Sequence, residues 1–354
     1  MIGEVDFLPA GESNADAICV RYGDQQSGWY LHVIDGGYKD TADTIINHID
    51  EHYGRDWHIN HMVLTHADND HATGLIGVME RKRVLNLWMN RPWLYVDEVS
   101  SHFHGNFNRA GLIGAMKARH EYLVRLEELA TEQGTVIREV FQGAKIGPFT
   151  VLAPSRERYL RLIPDLDKTP QKYSEQAVFT NTWSKLMEAV KEWIDEHWHI
   201  ETLSNSPEPV SASNETSVVQ LGDFNGEKLL LTGDAGPQAL NEAADYAQSL
   251  GLLNEFPKYV QVPHHGSRKN VTPAVLDRWL GPKMQLGERY GHAFCSVGSE
   301  QEDYPRGQVN NAFIRRGYPV WVTKGQSVCQ SFGMGMRSGF VPADPLPWSD
   351  RVKV

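Results

Sequence analysis

Val63-Leu64-Thr65-His66-Ala67-Asp68-Asn69-Asp70-His71 is the stretch that decides how this chain is read. The run from Ile59 to Thr65 predicts a strand, which stops abruptly at two imidazoles and two carboxylates within six residues. Ala72-Thr73-Gly74-Leu75-Ile76-Gly77-Val78-Met79 then predicts the start of a helix. Strand ends put polar groups at the rim of a sheet, where open α/β sheets hold their ligands. One tight loop brings four such side chains toward the same point, so the pattern reads as a metal site. Helix capping competes as an account of Asp68 or Asp70, but it leaves both histidines without a role.

Outward from this stretch the chain alternates short strands and amphipathic helices. Three strands precede it, the third ending in Ile34-Asp35-Gly36-Gly37, where Asp35 either joins the site or caps the following helix. Ile45, Ile46, Ile49 and Tyr53 recur at helical spacing. Beyond it come a strand over 84–88 and one long helix over 112–132, with His120 expected at its surface. His102-Phe103-His104 is a candidate substrate lip. Segment 155–212 breaks the rhythm, and its aromatic stripe of Phe179, Trp183, Leu186, Val190 and Trp193 predicts a helix over 174–198. The sheet resumes with a run opening at Asn214 and a hairpin partner ending in Thr232-Gly233-Asp234. A later strand ends in His264-His265-Gly266-Ser267, and further helix and strand units follow to about residue 323.

Composition bounds the function. The chain has 354 residues, 41% of them hydrophobic and 22% charged, which is ordinary for a globular protein. No apolar run approaches the ~20 residues of a bilayer span, and the N-terminus lacks the features of a signal peptide. Cys19, Cys295 and Cys329 are odd in number and far apart, so free thiols and a cytoplasmic setting are expected. A net charge of −11 argues against a broad basic surface for duplex nucleic acid, though nucleotides and short strands remain compatible.

Three strand ends therefore carry metal-type ligands: His66/Asp68/Asp70/His71, Asp234, and His264/His265. Each precedes a helix, so a single rim would collect them. A carboxylate such as Asp234, arriving from a separate strand, can bridge two cations about 3.5–4 Å apart. Three aspartates and a bridging hydroxide would balance two divalent ions.

At this point the sequence resembles the metallo-β-lactamase-fold hydrolases. The resemblance rests on His66-Ala-Asp-Asn-Asp-His71, Thr232-Gly-Asp234 and Pro263-His-His-Gly-Ser267. More narrowly, it is similar to the hydrolase domain of ComEC-type DNA-uptake proteins, through Ile34-Asp-Gly-Gly37, Val151-Leu-Ala-Pro154, Asn214-Glu-Thr-Ser217, Ser296-Val-Gly298 and Gly317-Tyr-Pro-Val-Trp-Val-Thr323. It implies an α/β (α+β) fold, a four-layer αββα sandwich forming one domain over 1–354, with helical insertions at about 90–134 and 156–212.

Carried over by position, the resemblance makes His66 and Asp68 ligands of a first metal, with Asp68 where most of the superfamily has histidine. Asp70 and His71 become ligands of the second metal and Asp234 the bridge. One of His264 and His265 completes the second site and the other faces substrate as an acid or phosphate contact, with His265 the favoured ligand and His264 beside substrate. Asn214, Ser217, Ser267 and Arg306 are candidate substrate contacts. Two divalent ions are expected, zinc first, with manganese competing because the first site is oxygen-rich. The expected reaction is hydrolysis of a phosphodiester or related phosphate ester, in a nucleotide or nucleic acid, by a metal-bound hydroxide, with Asp70 and His264 catalytic. The alternatives are a carboxylic ester or lactone hydrolase, or a metal-binding module without turnover that docks a protein partner through the insertions. No membrane role is expected.

Overall fold

The chain builds two seven-stranded sheets, seen here in a computed structural model that describes residues 1–103, 108–166, 193–335 and 337–353. The first has the order β15-β1-β2-β3-β4-β5-β6, where β1 is Ile2–Phe7, β2 Ala17–Asp24, β3 Gly28–Gly36, β4 Ile59–Val63, β5 Val84–Trp88, β6 Val136–Arg138 and β15 Val328–Phe332. The second has the order β14-β13-β12-β11-β10-β8-β7, from β7 Lys145–Ile146, β8 Phe149–Ala153, β10 Val219–Phe224, β11 Glu227–Leu231, β12 Tyr259–Gln261, β13 His292–Cys295 and β14 Val320–Val322. A separate two-stranded ribbon pairs β9 Trp193–Asp195 with β16 Arg351–Lys353.

Side-chain alternation explains the layers. Val5, Phe7, Ile18, Val20 and Ile34 point inward and meet Phe149, Val151, Leu229, Leu231 and Phe294 of the other sheet. Their neighbours Cys19, Leu31 and Val33 point the other way, onto helices 41–52 and 69–79. Across the molecule Leu230, Val260, Ala293 and Cys295 pack under helices 237–249, 273–280 and 307–315. Strands buried on both faces lose the apolar-polar alternation of a half-exposed sheet. Each fully buried aliphatic side chain contributes about 1.5–3 kcal/mol relative to exposure. The result is the expected αββα sandwich.

Register then gathers the polar strand ends. β3 and β4 are parallel, as are β11, β12 and β13, so Asp35, His66, Asp234 and His264/His265 all leave from carboxyl ends. β2 runs antiparallel to β3 with Ala17 opposite Gly36, which brings the amino end of β2 to the same rim. Close approach needs glycine here. A Cβ on Gly74 would lie 1.8 Å from the Gly36 carbonyl oxygen, and the Gly74 amide donates to the Gly37 carbonyl at 3.0 Å.

Several expectations are corrected. The long helix over 112–132 is two helices, Arg109–Arg119 and Glu121–Gln133, broken at His120, whose ψ of 49° leaves the helical region. His120 is buried, with its Nδ1 2.9 Å from the Met116 carbonyl, and is not a surface residue. Trp193–Asp195 is a strand, because it finds an edge to pair with in Arg351–Lys353, and residues 196–198 are not helical; residues 174–192 of the predicted helix lie outside the described residues. Asn214 belongs to a helical turn, Ala212–Glu215, capped by the Ser211 hydroxyl, and not to the following strand. β15 and β16 were not foreseen. His104 also lies outside the described residues. Among those described, no helix is long and apolar enough to cross a membrane.

Candidate metal centre

Asp234 is the hub. Its carboxylate, nearly fully buried, faces four imidazoles: Oδ2 lies 3.5 Å from both His71 Nε2 and His264 Nε2 and 3.9 Å from His66 Nε2, while Oδ1 is 3.8 Å from His265 Nε2. The His66 and His71 rings are 4.2 Å apart between centroids. Asp68 Oδ2 is 3.4 Å from His66 Nε2, and Asp70 Oδ2 is 3.8 Å from His71 Nε2. The structure thus brings every expected ligand to one rim.

The outward-facing nitrogens are each engaged. Asp35 Oδ2 sits 2.7 Å from His71 Nδ1, and Asp35 also accepts from the amide and hydroxyl of Thr65. His265 Nδ1 lies 2.9 Å from the Ser296 carbonyl, so it donates there and leaves Nε2 as an acceptor. His66 Nδ1 is 3.0 Å from Thr65 Oγ1 and 3.3 Å from Ser217 Oγ. Such outer contacts fix the tautomer and orientation of a metal-binding histidine. Inward, His66 Nε2, His71 Nε2, His265 Nε2 and Asp234 Oδ1 are buried and make no hydrogen bond among the described residues. Buried polar atoms without partners are costly, and imidazole nitrogens and a carboxylate gathered around Asp234 are donor types that divalent cations take.

Electrostatics agree with this. Burial opposes charge on His71, yet Asp234 and Asp35 outweigh it and hold its pKa well above the usual imidazole value. Burial likewise favours the neutral form of Asp234, but His264, His71 and His265 keep its pKa well below the ordinary carboxylate range. A cation would take over that charge balance and displace protons from the imidazoles.

His264 and His265 occupy left-handed backbone, with φ of 46° and 56°. Consecutive residues there turn the two rings apart, 77° between planes. His265 is buried in the cluster. His264 is about a third exposed, its Nδ1 held between Asn214 Nδ2 at 2.9 Å and Asn270 Oδ1 at 3.0 Å.

The expected substrate contacts fare differently. Ser217 is fully buried, its hydroxyl 3.3 Å from His66 Nδ1, and the Asn214 side chain contacts His264 and accepts from Ser211. Ser267 accepts from the Lys269 amide at 3.4 Å. Arg306 lies over the Tyr304 ring and 3.8 Å from Asp303, while its amide donates to Gly266. Asp68 makes no side-chain cap on helix 69–79; its Oδ1 accepts instead from Ser213 Oγ at 2.7 Å.

Sequence reading missed Ser213, Asn270, Gln261 and above all Asp16. Asp16, His71, Asp234 and His265 each offer a ligand atom, all within 4.8 Å of one another. The signal for Asp16 was a carboxylate directly preceding the apolar run Ala17-Ile18-Cys19-Val20.

No protein-family model matches the chain, and no curated protein matches its sequence. Among solved structures, the chain is similar to zinc-bound PqqB from Methylobacterium extorquens, with 11% identity, a TM-score of 0.41, and coverage of 93% of this chain and 99% of that one. It is also similar to a protein described as a metallo-β-lactamase from Thermotoga maritima, at 10% identity and TM-score 0.35, covering 71% and 93%. The metallo-β-lactamase SMB-1 aligns at 9% identity and TM-score 0.32, covering 78% and 86%.

Proposed function

We propose that the chain is a metal-dependent hydrolase of phosphodiester or related phosphate-ester bonds. The observation that carries this reading is the convergence of three buried, unpartnered imidazole nitrogens on Asp234. His66 and Asp68 would hold one divalent cation, His71, Asp70 and His265 the other, with Asp234 between them. When bound, two such ions supply an activated water near neutral pH and charge stabilisation for both attacking and leaving oxygens.

The protein's own residues do the rest. Asp35, the Ser296 carbonyl and Ser217 hold the imidazoles so that their free nitrogens face inward. Asn214 and Asn270 aim the exposed face of His264 at the mouth of the site, where Nε2 can protonate a leaving oxygen. Asp68 in place of a neutral ligand enriches the site in oxygen donors, which suits the harder ions used in phosphoryl chemistry. The narrower resemblance to the ComEC-type hydrolase domain supports the same substrate class, a nucleotide or short nucleic acid.

The test is a substrate panel with manganese- or zinc-loaded protein: bis-p-nitrophenyl phosphate and short oligonucleotides beside p-nitrophenyl acetate and simple lactones. Phosphodiester cleavage that disappears in Asp70→Ala supports the proposal. Turnover confined to carbonyl substrates, or full activity in Asp70→Ala, contradicts it.

A further inference from the structure

Asp16 has no place in the ligand set above, yet its environment is built like that of a ligand. It is 1% exposed and immediately precedes β2, one residue before Ala17, which lies opposite Gly36 across the antiparallel pair. Its Oδ2 accepts from Gln261 Nε2 at 2.9 Å, and its Oδ1 is buried and makes no hydrogen bond among the described residues. The Gln261 amide cannot turn over. Its Oε1 accepts from the backbone amides of Thr232 at 2.9 Å and Gly233 at 3.0 Å, which leaves Nε2 for Asp16. One side chain therefore ties Asp16 to the Thr232-Gly233-Asp234 turn.

We infer that Asp16 is a direct ligand of the second cation, through Oδ1, alongside His71, His265 and Asp234. This rests on the two-metal reading and extends it. The Gln261 contact occupies only Oδ2, and a neutral amide could serve it equally well; the one other polar group acting on the carboxylate among those described, outside the cluster itself, is the Ser296 hydroxyl. A carboxylate that keeps one oxygen buried and unbonded, within 4.8 Å of ligand atoms from Asp234, His71 and His265, is unfavourable unless positive charge joins them. With Asp70 included, the second site has three carboxylates and two imidazoles. Five donors exceed the tetrahedral shell of structural zinc and suit a larger, harder, octahedral ion such as Mn2+.

The probe is Mn2+ alone, with free ion followed by electron paramagnetic resonance during titration of the whole chain. Wild type is expected to take up two ions. Asp16→Asn retains an oxygen acceptor for Gln261 but presents an amide donor to the cluster, so one of the two ions should bind at least tenfold more weakly. Two ions at unchanged affinity in a folded Asp16→Asn protein would overturn the inference and leave the two-metal reading intact. A wild-type chain that takes up no divalent ion overturns both. Should the variant not fold, crystals of wild type loaded with Mn2+ decide the matter. Asp16 Oδ1 is expected at about 2.2 Å from the second ion by analogy with hard-cation distances, and an oxygen outside bonding distance contradicts the assignment.

Discussion

Asp35 Oδ2 lies 2.7 Å from Nδ1 of His71, and that contact determines which nitrogen of a fully buried imidazole faces the cluster. The carboxylate reaches across from the end of β3 while Thr65, at the end of β4, donates to it twice. Two neighbouring strand ends thus fix one ring. Asp35→Asn should weaken divalent-ion uptake by about 10–100-fold, the usual cost of losing such a partner. Ion titration of the folded variant checks this, and unchanged affinity would remove Asp35 from the positioning role.

Ion binding should be steeply pH-dependent. The pKa of His71 is raised by Asp234 and Asp35 against the opposing effect of burial, so the ring holds its proton further into the neutral range than a free histidine. A cation must displace that proton. Affinity is therefore expected to rise with pH across and above the ordinary imidazole pKa, with protons released on binding. Calorimetry in buffers of different ionisation enthalpy reads the proton count; zero release is the contrary result.

Helix 69–79 is expected to tolerate no side chain at Gly74. A methyl group there would collide with the Gly36 carbonyl and displace the helix that starts at Asn69 beside Asp70 and His71. Gly74→Ala should cost at least about 2 kcal/mol, in the range of overpacking, and should also weaken ion uptake. At Gly114, in helix 109–119, a methyl group would meet nothing within 4 Å, so Gly114→Ala should stabilise by about 0.5–1 kcal/mol. Denaturant titrations compare the two.

Much of the centre was legible because it is local. His66 and Asp68 lie on the loop after β4, and Asp70 and His71 fall in the first turn of the helix that starts at Asn69, three residues before the expected start, so strand-then-helix punctuation alone aligns them with Asp234 and His265. What escaped depends on register. Asp16 precedes a strand rather than ending one, and only the antiparallel pairing of Ala17 with Gly36 carries it to the rim. Ser213 meets Asp68 across 145 residues of sequence, a contact that no local pattern encodes. His120 looked like a surface residue because an uninterrupted helix would have placed it outward; the break turns it into the core beside Trp93. Tertiary pairing likewise overrode the helical period at Trp193.

Away from the rim, Asp6 should govern acid stability. It is completely buried, 3.0 Å from His48 Nε2 and 2.8 Å from Arg337 Nη2, and it also accepts from the Tyr53 hydroxyl. Burial alone would raise its pKa, but His48 and Arg337 together hold it far below the usual carboxylate value. The folded pKa lies below the unfolded one, so the stabilisation is complete above about pH 4, begins to fall there and is lost progressively as pH drops toward the depressed folded value. Asp6→Asn should cost about 3 kcal/mol at neutral pH, with the difference from wild type shrinking in acid. Paired unfolding curves from pH 7 to 3 measure it, and a constant difference would contradict the argument.

The most direct test of the two-metal account is the number of divalent ions held per chain. Apo protein dialysed against excess Mn2+ or Zn2+, then against metal-free buffer, should retain two ions by elemental analysis, and Asp234→Asn should retain fewer. A wild-type chain that retains none, while folded, would contradict the central claim.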